Sequence, residues 1–183
     1  MSKITQEQIN EWKEKYGGVY ELPVEDKTAY LREPKMKDFK RAFTAMQKSG
    51  DIAFGEEMLS ALWLGGDDII KTQDEYFLPA RKELIGFFNY PDATTKSLKD
   101  GKTEIIIEEK VCVVRQITRD DLRLAEKKNP TAKPFATQEF LFDMVCVEKD
   151  TAYDDRDYAE IRFPLYQAIE KLQDKKIAQL KKL

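Results

Sequence analysis

The sequence predicts an α+β protein made of two related units, each a β-hairpin followed by two or three helices. Three observations point there. A pattern in the first half recurs, weakened, in the second; each copy opens on two short runs of alternating, β-branched or aromatic character; and apolar residues at helical spacing follow. The predicted boundaries are 1–90 for an N-terminal unit, 91–101 for a linker and 102–183 for a C-terminal unit.

The repeat rests on the order of its matches. Leu22 and Val24 correspond to Ile105 and Ile107, the run Glu25-Asp26-Lys27 to Glu108-Glu109-Lys110, and Leu31-Arg32 to Val114-Arg115. Asp38, Phe39 and Ala42 then correspond to Asp121, Leu122 and Ala125, all 83 residues apart. Further on, one residue is expected to be lost, so that Glu57 faces Glu139, Leu59 faces Leu141 and Tyr76 faces Tyr158 at a spacing of 82.

The elements follow in order. Thr5 to Tyr16 predicts a first helix, with Ile9, Trp12 and Tyr16 on one face. Val19 to Val24 and Thr28 to Leu31 predict two strands turning at Glu25-Asp26, and Pro34 ends the hairpin. Phe39, Ala42, Phe43 and Met46 mark a helix stopped at Ser49-Gly50; Met58, Leu59, Leu62 and Trp63 mark another, ended by Gly65-Gly66. A third helix is expected after Thr72, capped by that threonine with Glu75 as its partner, with Pro79 bending it or marking its start.

The stretch around Pro91, rich in Thr, Lys and Asp, reads as linker. Beyond it, Glu104–Ile107 and Val111–Val114 bracket a second turn, and Thr118 can cap the helix that follows. Asp154 to Leu180 is expected to form the longest helix, kinked at Pro164.

Composition narrows the function. With no histidine, the Ser-His-Asp and Cys-His catalytic arrangements and the usual zinc enzymes are excluded. Cys112 and Cys146 lie in apolar surroundings, which raise thiol pKa values, so both read as buried structural thiols. Lys and Arg number 31 against 34 Asp and Glu, a net charge of −3 that gives no overall field for nucleic acid or an anionic membrane. The one local basic run, Lys171 to Lys182, is interleaved with Glu170 and Asp174 and reads as a solvated helix face.

No stretch nears the roughly 20 apolar residues of a membrane span, and the first residues lack the apolar core of a signal peptide, so the cytoplasm or an assembly made there is the expected location. The pairs Gly17-Gly18 and Gly65-Gly66 lack the lysine and hydroxyl of a phosphate loop and read as backbone punctuation. Asp67-Asp68, Asp74-Glu75 and Asp154-Asp155 favour helix starts rather than a metal. No catalytic, cofactor or metal residue is therefore assigned. Trp12 and Tyr16, on a helix outside the repeat, are the candidate protein-binding residues, with docking onto the protein's own core as the alternative.

Three elements carry a resemblance: Ala29-Tyr30-Leu31-Arg32 with Pro34, then Leu62-Trp63-Leu64-Gly65-Gly66-Asp67, then Asp74-Glu75-Tyr76. From about Trp12 to Phe88 the chain resembles small tail-assembly-chaperone-like proteins of phage and prophage structural modules. The resemblance implies a non-enzymatic protein without cofactor that handles other phage proteins, with tail or virion proteins as partners. It implies a chaperone or adaptor, with a permanent virion component as the nearest alternative; a small inhibitor of a host protein is a separate reading of a different class. In the second half, Cys146-Val147-Glu148-Lys149 is expected to replace the Leu-Gly-Gly-Asp element.

Overall fold

A computed structural model describes residues 4–88 and 90–174. The chain is α+β and divides into two units, 1–89 and 90–183.

In the first unit, helix α1 (Gln6–Tyr16) starts at Thr5, whose hydroxyl accepts from the Gln8 amide while the Gln8 side chain accepts from the Thr5 amide. Strands β1 (Val19–Val24) and β2 (Lys27–Arg32) pair antiparallel around Glu25-Asp26. Alternation then sorts the side chains: Leu22, Val24, Ala29 and Leu31 are buried on one face. Helices α2 (Met36–Ser49) and α3 (Asp51–Leu62) follow, separated by Gly50. Met36, Phe39 and Ala42 of α2 and Met58, Leu59 and Leu62 of α3 complete the core.

The expected continuation of α3 through Trp63 is corrected. Trp63–Gly66 forms strand β3, which adds antiparallel to β2 to give the order β1-β2-β3. Gly66 explains why the segment needs glycine: its φ is +124°, and a Cβ there would stand 2.3 Å from the Thr28 carbonyl oxygen. Asp67 closes the junction, donating its amide to that carbonyl at 2.9 Å and accepting the Thr28 amide on Oδ2 at 3.0 Å. The Thr72 capping box is also corrected. Thr72 ends the short helix α4 (Ile69–Thr72), and α5 (Asp74–Phe87) starts without a side-chain cap, Pro79 standing inside it.

In the second unit, part of the expected linker is a strand. β4 (Thr94–Ser97) pairs antiparallel with β5 (Thr103–Ile107), ahead of the hairpin of β5 with β6 (Lys110–Val114). Helices α6 (Arg119–Lys128) and α7 (Ala136–Val145) come next, then β7 (Cys146–Lys149) on β6, for a sheet order β4-β5-β6-β7. Thr118 caps α6 as expected, with Asp121 closing the box. A 3₁₀ turn (Thr151–Tyr153) leads to α8 (Ala159–Lys171), which contains Pro164. At 13 residues α8 is shorter than α2 and α5 with 14; residues 175–180 of the long helix expected there lie outside the described residues.

The two units repeat one wiring at a spacing of 83 residues. Arg32 donates to both carboxylate oxygens of Asp38 at 2.7 and 2.9 Å and to the carbonyls of Glu33 and Ala61. Arg115 donates to both oxygens of Asp121 at 2.7 and 2.8 Å and to the carbonyls of Gln116 and Met144. Asp150 repeats Asp67, holding the amide and carbonyl of Val111. Glu25 and Glu108 both turn with positive φ, and a bulge falls after Tyr30 and again after Val113. Ile70 and Tyr153, also 83 apart, are both fully buried.

This overturns the expected loss of one residue. Met58, Leu59 and Leu62 correspond to Leu141, Phe142 and Val145, so the register of 83 runs through to Asp150 and the aspartate of Leu-Gly-Gly-Asp is retained. Only then does the spacing change, to 85 for the last helices, where Asp74 and Pro79 correspond to Ala159 and Pro164. Tyr76 sits inside α5 and Tyr158 before α8, so that match falls.

The Arg115 guanidinium beside Asp121, with the amide and hydroxyl of Thr118, holds the aspartate carboxyl far below the usual range. Its folded pKa is depressed, so the bond's contribution is present above the unfolded carboxylate value and is lost as pH falls.

Replacing Asp38 by Ala leaves the Arg32 guanidinium, 15% exposed, without its acid; unfolding in urea should show a loss of about 3 kcal/mol. Gly66→Ala should cost about 2 kcal/mol or more in the same assay, whereas Lys149→Ala, at the corresponding position of β7, should change stability by under about 0.5 kcal/mol.

Candidate functional site

The first unit leaves a groove of about 510 Å³ between β1 and α5. Its floor is apolar: Leu22, Val24 and Leu31 from the hairpin, Ala80 and Leu84 from α5. One end is an aromatic cluster, with Tyr20 5.0 Å from Phe87 and 5.9 Å from Phe88, both edge-on, and Phe88 resting on Phe39. The rim is acidic, set by Glu25, Glu75 and Glu83, while the Glu21 carboxylate lies on the opposite face of the sheet and accepts from the Tyr30 hydroxyl. Six consecutive residues, Tyr20 to Glu25, line it, so the edge of the strand forms a wall.

The local sequence accounts for this geometry. Alternation sends Leu22 and Val24 inward, and β1 is the outer strand of its sheet. Pro23, which has no amide hydrogen, is tolerated because β1 is an edge. On α5, Phe77, Ala80 and Leu84 face the core while Leu78 (48%) and Phe87 (57%) remain exposed. Phe87 is thus a large apolar side chain held in water at an open apolar groove, whereas Leu78 lies on the helix face turned away from it.

Trp12 and Tyr16 are not in this groove. Trp12 lies half-buried on the other face of the sheet, 6.1 Å from Tyr30 and so close to Gly65 that a Cβ there would stand 3.0 Å from its ring. Tyr16 is half-buried, with the Lys15 ammonium 5.1 Å over its ring. At the aromatic end, Phe88 is buried against Phe39 while Phe87 stays exposed. The available signal was Pro23 within a strand pattern, which marks an edge.

The acidic pairs serve the fold. Asp67 holds the β2–β3 junction, Asp68 pairs with Lys71 at 2.7 Å, Asp154 with Lys149 at 2.6 Å, and Asp155 accepts the Asp157 amide. Among the described residues no cluster of acids and thiols could hold a metal, and no helix is long and apolar enough to cross a membrane.

Burial pushes the Cys112 thiol up to about 12 and also raises that of Cys146. Cys112 is fully buried as expected, but Cys146 is half-buried, at the start of β7 rather than inside a helix. A colourless-to-yellow thiol titration at pH 8 should therefore modify Cys146 slowly and Cys112 only after denaturant is added.

Compared with protein-family models, with curated proteins and with solved structures, the chain matches none.

Proposed function

We propose that the chain is a non-enzymatic phage or prophage protein that binds other phage structural proteins, as a tail-assembly chaperone or adaptor. The observation that carries this reading is the open groove of about 510 Å³ beside β1, with Phe87 exposed at its mouth. A client segment seated there is shielded from aggregation, while the dense mixed charge of the rest of the surface keeps the complex in solution. The partner type comes from the resemblance of residues 12 to 88, and the host cytoplasm or the particle is the corresponding place of action.

The test is an affinity pull-down of the tagged chain from induced source cells, alongside mass spectrometry of purified particles. Tail or virion proteins should be recovered with the wild-type chain and lost with Phe87→Asp, with the chain absent from particles. Its presence in particles at fixed stoichiometry would make it a structural part instead. Recovery of one host protein alone would overturn the reading in favour of an inhibitor.

A further inference from the structure

In the second unit, the strand edge corresponding to that of β1 is covered by the chain itself. The strand corresponding to β1 is β5, and its outer edge is covered by β4: Lys96 faces Glu104 and Thr94 faces Ile106. Four residues before β4, Tyr90 sits 5.8 Å from Phe163 on α8. Asp92, between them, pairs with Lys171 of the same helix at 2.7 Å. An extended segment thus runs from α8 to the sheet edge, anchored by an aromatic ring at one end and backbone pairing at the other.

The first unit has the corresponding positions, and among the described residues no strand pairs with the outer edge of β1. Glu104 corresponds to Glu21, Ile106 to Pro23 and Phe163 to Leu78, each helix residue standing just before the proline. Phe163 is 9% exposed and Leu78 48%. What precedes β1 is α1, which lies on the opposite face of the sheet against Tyr30 and Gly65.

We propose that the β1 edge of the first unit binds an extended segment of a partner protein as an added antiparallel strand, with a lysine or arginine opposite Glu21 and an apolar or aromatic anchor on Phe87. This rests on the protein-binding reading and specifies its mode. Val24 and Lys27 close the turn, so Leu22 and Tyr20 pair with β2, whereas Glu21 and Pro23 turn their backbone groups outward. The outward phase offers the Glu21 amide and the carbonyls of Glu21 and Pro23. Charge selects the incoming strand: Lys96 already lies 3.6 Å from Glu104 in the second unit, and the rim of the open groove adds Glu25, Glu75 and Glu83 to Glu21. Glu21 and Glu25 disfavour a second copy presenting its own β1, because like charges would meet across the new pair.

The test uses a surface-displayed library of random linear dodecapeptides selected on the full-length chain, followed by titration of synthetic hits. Enriched peptides should alternate apolar or β-branched residues with at least one Lys or Arg, and should bind about 10-fold more weakly to Glu21→Lys and to Phe87→Asp. Glu83→Lys, an exposed change on α5, keeps the test valid if Glu21→Lys disturbs the fold. Methylating the peptide nitrogen opposite Glu21 should abolish binding, while methylating the next nitrogen should leave it within about twofold.

Absence of enrichment, indifference to these substitutions, or equal tolerance of both methylated positions would overturn the proposal. Self-association of the chain abolished by the same substitutions would overturn it in favour of a second copy. Virion proteins captured equally by wild-type and Glu83→Lys chains would remove the strand-docking mode and leave the protein-binding reading standing. Peptide binding at β1 with no virion protein captured would do the reverse.

Discussion

One ion pair in each unit holds three elements together, and the rest of the fold depends on it. Arg32 stands at the end of β2, Asp38 in the first turn of α2, and the carbonyl of Ala61 near the end of α3. A single guanidinium thus joins a strand end, a helix start and a helix end. The last carbonyls of a helix have no partner inside it, and the first turn of a helix favours negative charge. Both needs are met from one side chain. Because α3 then passes directly into β3, fixing its last turn also fixes where the third strand can meet β2. Arg115, Asp121 and Met144 repeat the arrangement around β6, α6 and α7.

Around this shared frame the units differ in what covers the sheet. In the first, α1 lies on the outer face and seats Trp12 against Tyr30 and Gly65. In the second, Val113 and Glu148 stand at those positions, and the preceding segment supplies β4 to the sheet edge instead. Glycine at 65 and 66 therefore answers two separate demands, room for an indole ring and close approach to the Thr28 carbonyl. Lys149 replaces Gly66 without a positive φ, which is why the glycines could be lost from the second copy while the aspartate after them was kept.

Much of this frame was legible from residues alone. The hairpins, the capping threonine Thr118, and the equivalence of Arg32 with Arg115 and Asp38 with Asp121 follow from pattern and spacing. The third strands were not legible, because Trp63-Leu64 extends the apolar spacing of α3 and only pairing with β2 reveals the change of backbone. The register slipped for the same reason: Leu59 and Leu141 look alike, but burial pairs Leu59 with Phe142. β4 was hidden because Thr94 to Ser97 is polar and exposed throughout, so its pairing leaves no apolar signature. The groove was hidden because it exists only once α5 is placed against β1, where Phe87 stays exposed.

A duplicated fold need not keep both copies of a binding surface. Where the second unit covers its own edge with β4, the segment is covalently attached and its effective concentration exceeds that of any free competitor. Among the described residues, no strand pairs with the outer edge of β1 in the first unit. An exposed edge strand is a liability for aggregation, which proteins usually blunt with proline and charge. At β1, Pro23, Glu21 and Glu25 do that, and under the proposed mode the same groups favour an extended segment bearing positive charge. The features that keep the edge from pairing with itself are thus the ones that make it selective.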